Sequence, residues 1–174
     1  APFNSRAPHL TTAGDGNGDF DVFLRDLQTG VTELVSVDLA GSDSGDGSSW
    51  AGAVTPNGRF VLFTSRATNL VSTPSPYPWI EQVYVRDRQT GTTILVSVNA
   101  AGTAGGQNSS YGKAITPDGR YVLFDSSAND LDGGGYGNHD VYVRDLQAGT
   151  TTLVSRNLWG AGSPYRWSDG SGLT

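Results

Sequence analysis

Residues 140–155 read DVYVRDLQAGTTTLVS, and the same pattern occurs twice more in the chain. DVFLRDLQTGVTELVS begins at Asp21 and QVYVRDRQTGTTILVS begins at Gln82, so successive copies start 61 and 58 residues apart. In each copy, apolar and β-branched residues alternate on both sides of a short turn sequence, which predicts two antiparallel strands joined by a tight turn. A hairpin that recurs at a nearly constant spacing indicates a repeat architecture.

A second repeated element precedes the hairpin. It reads TPNGRFVLFTSRATNL at 55–70 and TPDGRYVLFDSSANDL at 116–131. Proline followed by Asn-Gly or Asp-Gly predicts a tight turn that leads into a buried strand, and a short strand is expected before each turn, at 51–55 and 112–116. Each repeat therefore holds four predicted strands: A, which ends in Thr-Pro; B, with the Val-Leu-Phe run; C, the first half of the hairpin; and D, the second half.

Four antiparallel strands repeated along a chain are typical of the blades of a β-propeller. The paired motifs TPDGRYVLFDS and DVYVRDLQAGT resemble the WD40-like, TolB-type propeller repeat of bacterial proteins, and the resemblance covers nearly the whole chain. It implies an all-β fold in which residues 1–174 form a single propeller array, with repeat units of approximately 1–55, 56–116 and 117–174. It does not identify a function, because this repeat occurs in unrelated proteins.

The two ends of the chain fall inside a blade. Residues 5–10 align with 65–70, which puts Phe3 at the position of Phe63, and residues 171–174 align with 113–116. The chain is therefore predicted to start in strand B and to end in strand A, as three four-stranded blades cut at one A–B turn. Propellers typically close with about four to eight blades, and the resemblance implies six. The missing blades are expected from a second copy, as a homodimer, or from the remainder of a longer propeller.

Composition excludes several classes of partner. Acidic residues outnumber basic ones 17 to 11, the net charge is −6, and the arginines are spread along the repeats. A nucleic-acid partner is therefore not expected, because it requires a clustered basic face. No apolar run approaches the roughly 20 residues of a membrane span, so membrane insertion is not expected either. The Ala-Pro start fits a processed, exported chain, which favours a secreted or periplasmic bacterial protein.

The long B–C and D–A loops emerge at the same end of an up-and-down blade and differ between copies, as binding loops on a rigid scaffold do. Aromatic side chains in these loops suit stacking on sugar rings or contact with a protein surface. They could instead pack against the glycine-rich loops, and the equivalent positions of Trp50 and Tyr111 favour that scaffold role for this pair. The candidate ligand-binding residues are Trp50, Trp79, Tyr111, Tyr136, His139, Trp159 and Trp167.

One B–C loop has the pattern of a calcium loop. Asp15, Asn17, Asp19 and Asp21 alternate with other residues as the oxygen ligands of a D-x-N-x-D loop do. The loop lacks the usual glycine at the sixth position and glutamate at the twelfth. The alternative is a loop stabilised by Asx turns without a metal. We therefore predict Ca²⁺ as an optional ligand, and no required cofactor.

Signals for catalysis are sparse. The two histidines are His9, at a position that Asn69 and Asn129 fill in the other copies, and His139, and no G-x-S-x-G motif is present. The sequence thus favours a non-enzymatic, extracellular binding module that recognises a protein or carbohydrate through its B–C and D–A loops. The alternatives are half, or an accessory domain, of a secreted hydrolase (glycosidase or peptidase), and a structural repeat without a ligand of its own.

Overall fold

The computed structural model describes residues 1–73, 75–132, 139–159 and 168–173. These residues form an all-β structure, in which no helix long and apolar enough to cross a membrane occurs. The strands are β1 (Pro2–Ser5), β2 (Asp21–Arg25), β3 (Thr32–Leu34), β4 (Ser49–Val54), β5 (Phe60–Ser65), β6 (Gln82–Asp87), β7 (Thr92–Leu95), β8 (Ser110–Ile115), β9 (Tyr121–Ser126), β10 (Asp140–Asp145) and β11 (Thr150–Leu153).

The strands form three antiparallel sheets in which every strand pairs with its neighbours along the chain. The first sheet contains β1 to β3, the second β4 to β7 and the third β8 to β11. The predicted all-β class and the predicted B, C and D strands are thereby confirmed, and β4 and β8 are the predicted A strands. The first sheet has three strands, because β1 occupies the B position and no A strand precedes it among the described residues.

The turns follow the chemistry that the sequence predicts. Gly58 and Gly119 have φ angles of 71° and 77° in the two A–B turns, a conformation that is favourable for glycine. In the C–D turn of the second sheet, Asp87 accepts a hydrogen bond from the amide of Gln89 at 2.9 Å. Asp26 and Asp145 make the same contact in the other sheets. The recurring aspartate is therefore a turn cap.

The hydrophobic core lies between the sheets, as two layers. On β5, Val61 and Phe63 pack toward the first sheet, whereas Leu62 packs toward the third. The alternation of side chains along a strand thus buries both faces of the second sheet. Each sheet also holds one stacked ring pair between strands B and C, with centroids 5.6 Å apart. The pairs are Phe3 with Phe23, Phe63 with Tyr84, and Phe124 with Tyr142.

Two hydrogen bonds recur where one sheet passes to the next. In the first, the backbone amide of a serine donates to a backbone carbonyl of the previous sheet. The serine begins an A strand or, at Ser168, the segment in the equivalent position, and the carbonyl belongs to the residue immediately before a C strand. The pairs are Ser49 with Phe20, Ser110 with Glu81, and Ser168 with His139. Two residues later, a backbone amide donates to a B-strand side chain of the previous sheet. Those pairs are Ala51 with Asn4, Gly112 with Thr64, and Gly170 with Asp125.

Residues 168–170 are therefore seated against the third sheet as the beginning of a further A segment. The strand predicted at 171–174 is nevertheless wrong for the described part of it, because residues 168–173 form no strand. The physical reason is that β4 and β8 pair with the B strand that follows each of them along the chain. Among the residues that the structure describes, no B strand follows residues 171–173 to supply such a ladder.

Candidate functional site

A groove of ≈ 330 Å³ opens between the second and third sheets, at the B–C and D–A end. Trp50 on β4 and Tyr111 on β8 contribute aromatic side chains to its lining. Ala51, Gly52, Thr64, Glu81 and Gly112 complete the lining. A Cβ atom at position 112 would lie 3.0 Å from the side chain of Leu62, so a larger residue there would require Leu62 to shift. The groove thus combines aromatic walls with a few polar groups, as ligand sites commonly do.

Glu81 is the buried polar centre of the groove, with 9% of its surface exposed. One carboxylate oxygen accepts hydrogen bonds from Nε and Nη2 of Arg66, at 2.9 and 2.5 Å. The other oxygen accepts from the hydroxyl of Ser109 at 2.5 Å and from that of Tyr111 at 3.4 Å. Burial raises the pKa of Glu81, but the hydrogen bonds from Ser109 and Arg66 outweigh it, so the net pKa is lowered. The carboxylate is therefore ionised at neutral pH.

These contacts make Glu81 a positioning residue for its neighbours. The guanidinium carbon of Arg66 lies 5.4 Å from the ring centroid of Trp50, so the same arginine contacts both the carboxylate and an aromatic wall. The Arg66 side chain keeps 46% of its surface exposed. A planar guanidinium held in this way retains N–H donors for a ligand.

His139, which precedes β10 in the third sheet, contacts the groove residue Tyr111. Its imidazole stacks on the ring of Tyr111, with centroids 6.0 Å apart and an interplanar angle of 9°. The backbone of His139 has a φ of 59°, a left-handed conformation that is uncommon for residues other than glycine. Three predicted ligand-binding residues, Trp50, Tyr111 and His139, are therefore linked through one cluster around Glu81.

The remaining predicted aromatic residues lie elsewhere. Trp79 stacks on Tyr77 with centroids 5.1 Å apart, and Trp79 is 66% exposed. Trp159 is 87% exposed in the loop after β11. Tyr136 and Trp167, which we also predicted as ligand-binding residues, lie outside the described residues. The structure therefore presents a groove cluster and, separately, an exposed ring pair.

In the predicted calcium loop, the side chains serve as hydrogen-bond caps. Asp15 accepts from the amide of Gly18 at 3.2 Å, and Asn17 accepts from the amide of Asp19 at 2.5 Å. The Asn17 amide group donates to Asp21 at 3.3 Å, and Asp19 pairs with Arg6 at 3.2 Å. Within the described ranges, no group of three or more acidic or histidine side chains is arranged to hold a metal ion. Calcium binding by this loop stays a prediction.

Asp21 also belongs to a buried network that all three sheets share. Its carboxylate accepts from the hydroxyl of Ser36 at 2.7 Å, and that hydroxyl accepts from the amide of Val22 at 3.0 Å. In the second sheet, Gln82 and Ser97 make the corresponding bond at 2.6 Å. Gln82 also donates to the carbonyl of Gly106 at 2.8 Å. An aspartate cannot make that last bond when ionised, and in the first sheet Asn17 donates to the carbonyl of Gly45 instead.

The sequence predictions missed Glu81, which lines the groove, and Arg66 and Ser109, which donate hydrogen bonds to it. A signal for Glu81 was present, since the chain has only two glutamates and this one precedes a C strand. Phe20 and His139 occupy the same position in the other repeats. Glu81 is thus a carboxylate at a position where the other repeats have an aromatic ring, which indicates a function specific to the second repeat.

No protein-family model matches the sequence, and no curated protein matches it. Among solved structures, the chain is similar to "The structure of putative TolB from Agrobacterium tumefaciens", with 18% identity and a TM-score of 0.43. The similarity covers 80% of this chain and 42% of that chain, so this chain spans less than half of that protein's length.

Proposed function

We propose that the three sheets are blades of a β-propeller and that the chain is an exported binding module. The groove between β4 and β8 binds a carbohydrate. The stacking of successive sheets through apolar faces and the recurrence of the same inter-sheet hydrogen bonds support the propeller architecture. The groove supports the binding function.

The observation that carries the proposal is the Trp50–Arg66–Glu81–Tyr111 cluster. Two aromatic side chains offer apolar ring faces for the C–H face of a sugar, and Arg66 offers donors for its hydroxyl groups. Glu81 holds both Arg66 and Tyr111 through direct hydrogen bonds. A preorganised site loses less side-chain entropy when a ligand binds. The volume of ≈ 330 Å³ lies at the lower end of the roughly 300–1,000 Å³ range of small-molecule sites, which fits one or two sugar rings.

Protein recognition is a second candidate, favoured by a different observation. The stacked Tyr77 and Trp79 rings are 45% and 66% exposed, and tyrosine and tryptophan are enriched at the centres of protein interfaces. This exposed pair would act as an anchor outside the groove.

A glycan array separates the candidates, with Trp50→Ala and Trp79→Ala as matched tryptophan variants. We expect Trp50→Ala to weaken glycan binding by at least about tenfold, equivalent to about 1.4 kcal/mol, whereas Trp79→Ala leaves it unchanged. Arg66→Gln provides a second groove variant if Trp50→Ala fails to fold. If no glycan binds, or if only Trp79→Ala loses binding, the groove proposal is wrong.

The hydrolase alternative is tested with the same sample. A screen of generic glycosidase and peptidase substrates should show no turnover that depends on this chain. Turnover that His139→Ala abolishes would replace the binding function by a catalytic one.

A further inference from the structure

We propose that Asn57, in the A–B turn of the second sheet, is a site of spontaneous deamidation that converts it into an aspartate. The chain has two Asn-Gly pairs, at 57–58 and at 17–18. Asparagine is a chemically labile residue, and a glycine after it leaves the backbone nitrogen unhindered because glycine has no Cβ atom. This inference concerns covalent chemistry and is independent of what the groove binds.

The reaction requires only these two residues and water. The backbone nitrogen of Gly58 loses its proton to hydroxide and attacks Cγ, the side-chain carbonyl carbon of Asn57. A bond between that nitrogen and Cγ forms and the bond between Cγ and Nδ2 breaks. Nδ2 takes a proton from water and leaves as ammonia, which regenerates the hydroxide. Water then opens the cyclic imide at Cγ, which gives aspartate, or at the main-chain carbonyl carbon, which gives isoaspartate.

The side chain of Asn57 is exposed in the turn, and its leaving group is not held there. Its Oδ1 atom accepts hydrogen bonds from the hydroxyl of Thr55 at 2.7 Å and from the amide of Arg59 at 3.0 Å. No hydrogen bond among the described residues involves its Nδ2 group. The amide of Gly58 donates to the carbonyl of Thr55 at 2.8 Å, so the attack requires this exposed turn to open locally.

Positive charge lies beside this Asn-Gly pair. Arg88 donates from Nη1 to the carbonyl of Gly58 at 2.5 Å, and Arg59 and Arg88 line a groove of ≈ 380 Å³ next to the turn. A nearby cation favours the deprotonated form of a group, and here it favours loss of the Gly58 amide proton. Arg88 is specific to this repeat, since Leu27 and Leu146 occupy its position in the others.

The other Asn-Gly pair lies in the opposite environment. Nδ2 of Asn17 donates to the carbonyl of Gly45 at 2.5 Å and to Asp21 at 3.3 Å, so its leaving group is held in place. The amide of Gly18 donates to the carboxylate of Asp15 at 3.2 Å. A neighbouring carboxylate disfavours loss of that amide proton. We therefore expect this pair to remain unchanged under conditions in which the turn of the second sheet reacts.

The third sheet shows that the A–B turn accommodates an aspartate. Asp118 occupies the position of Asn57 there, and it accepts hydrogen bonds from the hydroxyl of Thr116 at 2.5 Å and from the amide of Arg120 at 3.0 Å. Asn57 makes the same two bonds in its own turn. The bond from Thr116, followed by that from Arg120, lowers the pKa of Asp118. An aspartate at position 57 would therefore keep the turn and add a negative charge.

Arg88→Leu tests the contribution of the arginine. The variant introduces the residue of the other two repeats and leaves Glu33, with which Arg88 pairs, near the turn. Conversion of Asn57 should slow by about fivefold, the equivalent of about 1 kcal/mol between charges about 4 Å apart in water. An unchanged or faster conversion would contradict this role of Arg88.

Peptide mapping by mass spectrometry, after incubation of the folded protein in mildly alkaline buffer, tests the modification itself. Aspartate and isoaspartate should accumulate at position 57 while position 17 remains asparagine, and ion exchange should resolve a more acidic species. Asn57→Asp should form no further acidic species and should unfold at the same urea concentration as the wild type. An unreacted Asn57, faster conversion of Asn17, or an Asn57→Asp variant that unfolds at a lower urea concentration would each overturn the proposal.

Discussion

The carboxyl group of Asp21 should make the stability of the protein depend on pH, and Asp21→Asn should remove that dependence. Asp21 is fully buried, and it accepts hydrogen bonds from Ser36 and Asn17. Burial raises its pKa from 3.8 to about 6, and the nearby charge of Asp15 adds to the effect, although the Ser36 hydroxyl opposes it. The folded state therefore keeps a proton that the unfolded state has already lost.

The size and direction follow from this pKa. Between pH 3.8 and about 6, the folded chain binds more protons than the unfolded chain, so the free energy of unfolding falls as pH rises through this window. One pKa unit corresponds to about 1.4 kcal/mol, so the total loss is about 3 kcal/mol and is complete above pH ~6. The asparagine side chain has no proton to lose.

The assay is urea unfolding of the wild type and Asp21→Asn at a series of pH values from about 4 to 8. The difference between the two proteins cancels the contributions of the other titrating groups, and it should grow by about 3 kcal/mol in favour of the variant as pH rises. A difference that does not change with pH would refute the assignment.

The titration also tests the calcium prediction. Bound Ca²⁺ would stabilise the ionised carboxylate, so wild-type stability should rise with Ca²⁺ above pH ~6, and Asp21→Asn should respond less.

Three further predictions concern the turns, the buried network and the groove. Gly119→Ala should lower the unfolding free energy by about 2 kcal/mol or more, because its φ is 77° and a Cβ would lie 2.2 Å from the Phe60 ring. Gly102→Ala, with a φ of 71° and open space, should lose about half as much, and equal losses would contradict the clash. Ser97→Ala should cost about 1–3 kcal/mol in urea unfolding, because the buried amide of Val83 loses its acceptor; an unchanged midpoint would contradict this. Glu81→Gln should weaken glycan binding at neutral pH, and wild-type binding should persist until pH falls below 4.5, the ordinary pKa of a glutamate, because the pKa of Glu81 is lowered. Loss of wild-type binding at a higher pH would argue against this role of Glu81.

The strands could be predicted because the repeat gives the same evidence several times. The Val-Leu-Phe runs became β5 and β9, and the three hairpins became the C–D pairs. Their apolar residues alternate with a period of two, which is a local property of the sequence. The three-stranded first sheet was also predictable, because Phe3 aligns with Phe63 and Phe124.

The groove was less accessible from the sequence. Trp50 and Tyr111 were recognised as equivalent positions of two repeats. The sequence pattern of a repeat does not reveal that equivalent residues of adjacent sheets line the same groove. Glu81 and Arg66 are 15 residues apart, on opposite sides of a B–C loop. Their ion pair depends on how that loop returns to the sheet, which a pattern of alternating residues does not specify. The strand predicted at 171–174 failed for a related reason, since a strand needs a ladder partner as well as a matching sequence.

The most direct test of the groove is the indole N–H signal of each tryptophan in an NMR titration with the glycan that binds best on the array. Trp50→Phe identifies the signal of Trp50. Binding at the groove predicts that the Trp50 signal shifts in proportion to saturation, while the signals of Trp79 and Trp159 stay in place. A shift confined to Trp79 or Trp159, with the Trp50 signal unchanged, would contradict the proposed site.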